Sequence, residues 1–210
     1  RVAMVVPAPF YLESEPTLLE QVAAGAFGDW LEIHVNALSG GWNPEAPIHW
    51  RQRRDLSGQN VMSMGILNET VRRYAGHDAQ VTAHAHTFTA RRPDPDGGTR
   101  AVDVPDSLGI ASQLESGATA VYHISSVARH GAGGAIEMHG TKGALKLDGG
   151  RAWVAMGADA GFRELEIAPQ RKGGWRVEAD FVDAICDGRP VTHTSFADGV
   201  KYMEFTEAVQ

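Results

Sequence analysis

Arginine and tryptophan side chains crowd an irregular stretch near the start of the chain. The loop predicted over residues 39–58 is rich in Gly and Pro, and it contains Trp42, Trp50, Arg51 and Arg53. Guanidinium groups make paired hydrogen bonds to oxygen atoms, and indole rings stack on apolar faces such as those of sugars. The pattern predicts a surface that binds a polyol or a carboxylate. A surface loop anchored by buried tryptophans is the alternative.

The helix predicted over residues 60–75 would extend this surface. Asn60, Ser63 and Leu67 recur at helical spacing and lie on one side of it. A helix that starts at a loop can aim its first polar side chains into a cleft. We therefore expect Asn60 and Ser63 to bind substrate.

Asn68 and Glu69 are the candidate catalytic residues, because they follow on the same helix. Burial raises the pKa of a carboxylate towards the range in which it acts as a general acid or base. The alternative for Glu69 is a solvated glutamate that pairs with Arg72 or Arg73.

The chain contains nine histidines, and His84 and His86 share one face of a predicted strand. Two imidazoles at this spacing, with a carboxylate such as Glu32, could ligate a metal. The sequence lacks H-E-x-x-H and Cys/His ligand spacings, and Cys186 is its only cysteine. Polar histidines on a half-exposed sheet are the favoured interpretation, and we expect no metal site. Cys186 itself is expected to be a small buried side chain.

No glycine pattern predicts a nucleotide site. The nearest candidate, Gly131-Ala-Gly133-Gly134-Ala-Ile136, has Ile136 at the third glycine position and leads into a strand. Dinucleotide binding needs G-x-G-x-x-G between a strand and a helix, whose N-terminus holds the pyrophosphate. Gly140-Thr-Lys-Gly143 is too short for a phosphate loop. We expect no cofactor-binding residues in these 210 residues.

Composition narrows the class of protein. The chain has 210 residues, a net charge of −7 and 43% hydrophobic residues, which fits one domain spanning 1–210. Its acidity argues against nucleic-acid binding, and no apolar run approaches the ~20 residues of a membrane span. A single cysteine is consistent with a cytoplasmic location.

Periodicity predicts an α+β fold. Clustered strands with short turns favour a large, mostly antiparallel sheet, and helices at both ends would cover one of its faces. The strands are predicted at 2–6, 30–38, 81–90, 107–114, 118–127, 135–139, 144–147, 152–156 and 163–167. Residues 91–104 are predicted to form a mobile hairpin tip. Helices are predicted after Ser14, over 60–75, over 175–187, and from Ser195 to the chain end, with Asp198 completing a capping box.

The uncovered sheet face would need a partner. A subunit interface would suit the apolar residues Val121, Ile124 and Val127, which lie beside the polar His123 and Ser125. We expect a symmetric homo-oligomer through this face.

Four stretches together resemble the C-terminal domain of Gfo/Idh/MocA oxidoreductases. They are Val2–Trp30 with its Gly25-Ala-Phe-Gly28 turn, Trp50–Ile66, the hairpin Ile136–Leu147, and the terminal helices with Phe181, Ile185, Gly188, Pro190, Ser195, Asp198 and Gly199. The resemblance covers nearly the whole chain. It implies that an N-terminal Rossmann domain is absent from this sequence, and that Val2–Val6 is the strand leading out of it.

The resemblance also implies a function. This would be the substrate-binding and oligomerisation domain of an oxidoreductase that uses NAD or NADP on a sugar, cyclitol or similar alcohol. Family members often carry Asp and His four residues apart on the helix after the loop, and the His transfers protons. Ser63 and Leu67 occupy those positions here. The catalytic lysine would lie upstream, so we expect no catalysis by these residues alone.

Two alternatives remain open at this point. One is a non-catalytic binding or dimerisation module, because the His position holds Leu67. The other is a metal-dependent enzyme that uses the histidine-rich sheet.

Overall fold

A large mixed sheet organises the chain. The computed structural model describes residues 1–59, 61–191 and 194–210. Its strands are β1 (Trp30–Leu38), β2 (Asp78–His86), β3 (Arg91–Pro93), β4 (Thr99–Ala101), β5 (Ser107–Leu114), β6 (Thr119–Ser125), β7 (Gly133–Gly140), β8 (Gly143–Asp148), β9 (Arg151–Met156) and β10 (Arg163–Glu164). Eight of them form one sheet in the order β10-β9-β8-β7-β1-β6-β5-β2, and β3 pairs with β4.

The helices are α1 (Glu15–Ala23), α2 (Arg54–Ser57), α3 (Met64–Ala75), α4 (Val177–Cys186) and α5 (Phe196–Ala208). Within the described sheet β1 and β6 run parallel, and the other neighbouring strands run antiparallel. The predicted α+β class, with a mostly antiparallel sheet and helices on one face, is confirmed. The capping box at the start of α5 is confirmed as well, since Ser195 and Asp198 bond each other reciprocally.

The core lies between the sheet and the helices. Side chains alternate between the two faces of a strand, and in β5 and β6 every second residue is buried. Tyr122, Ile33, Leu108, Ile136 and Leu147 come from five strands and are at most 1% exposed. From the helices, Leu18, Met64 and Phe205 close the same apolar cluster. This burial drives the folding of the domain.

The first residues depart from the sequence prediction. Val2–Val6 is predicted to form a buried strand, but Val6 is 61% exposed, and among the described residues Val5 alone of this segment forms a β-bridge. The Val5 N–H donates to the carbonyl oxygen of Thr194 at 2.9 Å, just ahead of α5. Pro7 and Pro9 lack the N–H that a longer ladder would need.

Residues 91–104 form the predicted hairpin, and the hairpin is tied to the preceding loop. Arg92 is buried and donates to the carbonyl oxygens of Asn43 and Ala46. The Ile48 N–H donates to Pro93 at 2.9 Å. Loop and hairpin therefore make one folded unit beside the main sheet.

The apolar run proposed for the subunit interface does not lie on one face. Val121 is 51% exposed on the open face of β6, whereas Ile124 is 1% exposed in the core. Two residues separated by an odd number of positions point to opposite faces of a strand. Val127 lies beyond the end of β6.

Cys186 was expected to be buried, but it is exposed. It ends α4, a helix that buries only Val177 and Ala184 and leaves Val182 and Ile185 more than half exposed. No helix within the described ranges is long and apolar enough to cross a membrane.

Asp78 lies at the centre of a buried polar network that joins α3 to the sheet. One of its oxygens accepts hydrogen bonds from the Arg72 guanidinium at 2.9 and 3.0 Å and from the Asn68 amide at 2.9 Å. The other accepts from Ser112 on β5. The Arg72 and Asp78 side chains are each 4% exposed. A buried charge in such a place must keep its partner.

Asp78→Ala should lower the free energy of unfolding by about 3–5 kcal/mol, because it leaves the Arg72 guanidinium buried without its counter-ion. Glu164→Ala breaks the exposed pair with Arg151 and should cost about 1 kcal/mol or less. Urea denaturation of both variants measures the difference. Equal losses would contradict the role given to Asp78.

Candidate functional site

A cleft opens where the two parallel strands end. One cavity of about 490 Å³ is lined by residues from the Pro9–Tyr11 segment, β1, α3, β7 and the β8–β9 turn. A second, of about 600 Å³, adjoins it, since both are lined by Ala37, Ser63 and Gly134. The carboxyl ends of β1 and β6 and the N-terminal end of α3 meet here. Cavities of ~300–1,000 Å³ are the usual size for small-molecule sites.

Helix α3 places Ser63 at the centre of the cleft. Ser63 is the N-cap of α3, and its carbonyl oxygen accepts the Leu67 N–H at 3.1 Å. Its hydroxyl makes no capping hydrogen bond. Leu67, one turn further, lines the first cavity with an apolar side chain. Ser63 lines both cavities, and its role in binding substrate stays a prediction.

Backbone strain is concentrated at the same cleft. Three non-glycine residues in the described ranges have positive φ: Tyr11 at 60°, Met62 at 50° and His130 at 59°. Tyr11 lines the first cavity and Met62 the second. A bulky side chain in the left-handed region costs roughly 1 kcal/mol, and such residues cluster at functional sites.

Arg51 supplies positive charge to the second cavity. Its guanidinium lies over the Trp50 ring, 4.4 Å from the centroid, and Trp50 is 47% exposed. A cation stacked on an indole keeps hydrogen-bond donors at its edge. Of the residues predicted in the loop, Arg51 lines the cleft and Trp50 stands beside it.

Other predicted binding residues are held elsewhere. Trp42 donates from its indole nitrogen to the Thr89 hydroxyl at 2.7 Å, which anchors the loop to the hairpin segment. Arg53 makes a two-fold hydrogen bond to Asp55, at 2.6 and 3.1 Å. Neither lines the two cavities. Asn60 lies outside the described residues.

Asn68 and Glu69 are buried in contacts within the fold. Asn68 is 1% exposed, and its amide donates to Asp78 and to the Tyr122 hydroxyl. Glu69 is 7% exposed, and its carboxylate accepts the Ala8 N–H at 2.6 Å. Neither residue lines the cleft. These contacts favour a positioning role for both.

Arg73 completes a clamp with Glu69. Its guanidinium lies 3.4 Å from the Glu69 carboxylate and 3.6 Å from that of Glu15. It also donates to the carbonyl oxygens of Ala8 and Phe10. The clamp therefore fixes the segment that leads into Tyr11.

Tyr11 is the site residue that sequence reasoning missed. Burial, and secondarily the negative charge of Asp148, raise the pKa of its phenol above the ordinary value. Its carbonyl oxygen accepts from the Ser14 and Glu15 N–H groups and so starts α1. The only sequence signal was an aromatic residue that follows Pro7-Ala-Pro9-Phe10 in a turn.

The described residues provide no metal centre and no glycine cradle. No group of three His, Cys, Asp or Glu side chains within them is placed to hold a metal ion. Gly133 and Gly134 open β7, so a strand and not a helix N-terminus follows the glycines. The metal-dependent alternative therefore has no ligand set in this part of the chain.

Comparison with known proteins decides the family. A sequence model of the GFO/IDH/MocA C-terminal domain matches residues 17–146, more than half of the chain. The chain belongs to the GFO/IDH/MocA family. No curated protein sequence matches it.

Solved structures of GFO/IDH/MocA oxidoreductases share the fold. Levoglucosan dehydrogenase, in complex with NADH and L-sorbose, has a TM-score of 0.80 at 23% identity over 95% of this chain and 61% of its own. Aldose-aldose oxidoreductase from Caulobacter crescentus, complexed with glycerol, has 0.75 at 21% over 100% and 61%. An NAD-binding oxidoreductase from Klebsiella pneumoniae has 0.78 at 23% over 95% and 62%. The chain thus spans about three-fifths of the length of these neighbours.

The clamp predicts different outcomes for two changes at Glu69. Glu69→Gln keeps an oxygen that accepts the Ala8 N–H and should cost about 1 kcal/mol of unfolding free energy. Glu69→Ala leaves that N–H and the Arg73 guanidinium short of a partner and should cost about 3 kcal/mol. Chemical denaturation measures both. If neither variant is destabilised, the clamp is not a structural contact.

Proposed function

We propose that this domain forms the substrate-binding and oligomerisation part of an NAD- or NADP-dependent oxidoreductase that acts on a sugar, cyclitol or similar alcohol. The observation that carries the proposal is the cleft at the ends of β1 and β6. Most of its lining is apolar, and a few polar residues converge on it, among them Tyr11, Arg51 and Ser63. Apolar walls with a few placed donors suit a polyhydroxylated ligand, which has both apolar and hydrogen-bonding faces.

The names of the solved neighbours support this substrate class. Their complexes contain levoglucosan, L-sorbose and glycerol. The cofactor would bind to another part of the protein, and three structures of levoglucosan dehydrogenase are complexes with NADH. NAD or NADP would accept the hydride, while the present domain holds and orients the alcohol.

Exposed apolar helix faces support docking of a nucleotide-binding domain. Six such residues are at least 36% exposed: Phe181, Val182 and Ile185 on α4, and Phe196, Val200 and Met203 on α5. Near the start of the chain, Val5 pairs with Thr194, which lies just ahead of α5. This segment is therefore close to the exposed residues of α5. Large exposed apolar patches usually mark interaction sites. Without the docked domain these residues would not be catalytic.

A binding or dimerisation module without catalysis is the second candidate. Leu67 favours it, because an apolar side chain stands where the family resemblance places a proton-transferring His. The two candidates differ in turnover of a polyol by the natural polypeptide that carries these residues, in the presence of NAD⁺ or NADP⁺. Reduction of the nicotinamide, followed at its absorbance, supports the oxidoreductase. Binding without reduction supports the module.

Arg51→Ala should lower kcat/KM for the best polyol about 10- to 100-fold, because a charged hydrogen bond in a cleft contributes roughly 1.5–3 kcal/mol. Arg53→Ala removes the same charge two residues away and should change it less than about threefold, since Asp55 holds that side chain. Steady-state kinetics with both variants tests the assignment. Equal effects would contradict the place given to Arg51.

Oligomerisation would use the open face of the sheet. Val121 stands near the middle of this face, and the outward residues of neighbouring β5 include Gly109 and Ala111, which permit close approach. His34, Glu137 and Lys146 continue the same row across β1, β7 and β8. A self-complementary face of this kind suits a two-fold dimer.

Val121→Arg should shift the protein to the monomer, because each copy would bury an unpaired charge at the interface. Leu56→Arg adds the same charge at another exposed apolar site, on α2, and should leave the association unchanged. Sedimentation velocity measures both. A dimer that survives Val121→Arg would rule out this face.

A further inference from the structure

We propose that Tyr11 is the residue that anchors a ligand oxygen in the cleft through its phenol, and that Glu69 and Arg73 are its positioning residues. The proposal rests on the proposed function for its substrate class, a sugar or polyol. The apolar side chain of Leu67 cannot form a hydrogen bond with a ligand in this cavity. We assign that hydrogen bond to the phenol of Tyr11, which comes from a different segment of the chain.

Location is the first argument. Tyr11 shares a cavity of about 490 Å³ with Ser63 and Leu67, although it lies more than fifty positions away in sequence. The remaining walls come from prolines, glycines and apolar side chains such as Ala37 and Ile136. In such surroundings a single phenol determines where a hydroxyl or carbonyl oxygen can settle, because an unpaired polar atom in an apolar cleft is costly.

The backbone is the second argument. Tyr11 has a φ of 60°, which a bulky side chain adopts only where its surroundings impose it. Contacts on both sides of the residue impose it here. The Glu69 carboxylate holds the Ala8 N–H, Arg73 holds the Ala8 and Phe10 carbonyl oxygens, and the start of α1 holds the Tyr11 carbonyl oxygen.

Burial gives the clamp its strength. The Arg73 and Glu69 side chains are 9% and 10% exposed, so water screens their attraction little. A buried ion pair that holds a loop and touches no substrate is the pattern of a positioning pair.

The state of the phenol is the third argument. Burial and the charge of Asp148 raise the pKa of Tyr11, so the hydroxyl keeps its proton throughout the neutral range. It can therefore donate to a carbonyl oxygen and can accept from a hydroxyl group. The same phenol oxygen of Tyr11 would therefore hold both the alcohol and the ketone to which it is oxidised.

The test uses the natural polypeptide, with L-sorbose, glycerol and sorbitol as probes and calorimetric titration as the measurement. Tyr11→Phe removes only the hydroxyl and should weaken binding of the best probe about 3- to 10-fold, the value of one neutral hydrogen bond. Tyr202→Phe is the matched control. That phenol is also partly buried with a raised pKa, but it lines a different cavity, and its loss should leave binding unchanged.

Monodeoxy derivatives of the best probe separate binding from structure. One derivative lacks the oxygen that Tyr11 contacts, and the wild-type protein and Tyr11→Phe should bind it equally. A structural role would weaken all derivatives alike. Glu69→Ala leaves the Ala8 N–H without its acceptor and should weaken binding of the best probe about as much as Tyr11→Phe does, whereas Glu69→Gln keeps an acceptor for that N–H and should restore most of the loss. Full binding in Glu69→Ala, or turnover lost in Glu69→Gln while binding is kept, would overturn the positioning role of Glu69.

The outcomes separate this proposal from the proposed function. Unchanged or uniform binding in Tyr11→Phe, with turnover of the probe by the wild type, overturns the role of Tyr11 and leaves the oxidoreductase standing. Binding without nicotinamide reduction, with a selective loss in Tyr11→Phe, supports Tyr11 and overturns the oxidoreductase. If the wild-type protein binds none of the three probes, both are wrong.

Discussion

The buried carboxylate of Asp78 fixes helix α3 on the sheet. It accepts hydrogen bonds from Arg72 and Asn68 on the helix and from Ser112 on β5, so one charge joins two layers. Once α3 is held in this register, its first turn can only meet the ends of β1 and β6. The cleft is the space left between them, and its shape depends on that placement. The packed interior transmits any shift of the helix to the cleft.

The same helix uses its faces for different purposes. Asn68 and Arg72 point to the sheet network, Glu69 and Arg73 point to the segment before α1, and Ser63 opens into the cleft. The members of each pair are four residues apart and so lie one above the other on the helix, while the two pairs are offset by one residue, about 100° around the helix axis. The helix is therefore both a support of the core and the positioning element of the site.

The division of the molecule into two faces has a functional consequence. The cleft and the helices that contribute to the core occupy one side of the sheet. Exposed apolar residues lie on α4 and α5. The other side presents small and polar residues such as Gly109, Ala111 and His123. The proposed domain docking would use the exposed residues of α4 and α5, and the proposed self-association would use the open face of the sheet, so the two proposals involve different surfaces.

The sequence by itself determined the fold class, most strands, the four longer helices and the family, because alternation, turn glycines and caps are local signals. It also singled out Arg51 and Ser63, which both line the second cavity of the cleft. Only the tertiary structure decided that Asn68 and Glu69 are buried supports, that Trp42 and Arg53 are held elsewhere, and that Tyr11 enters the cleft. Contacts between residues distant in sequence, such as Glu69 with Ala8 and Asn68 with Tyr122, leave no local periodicity to detect, because they arise only when the layers pack.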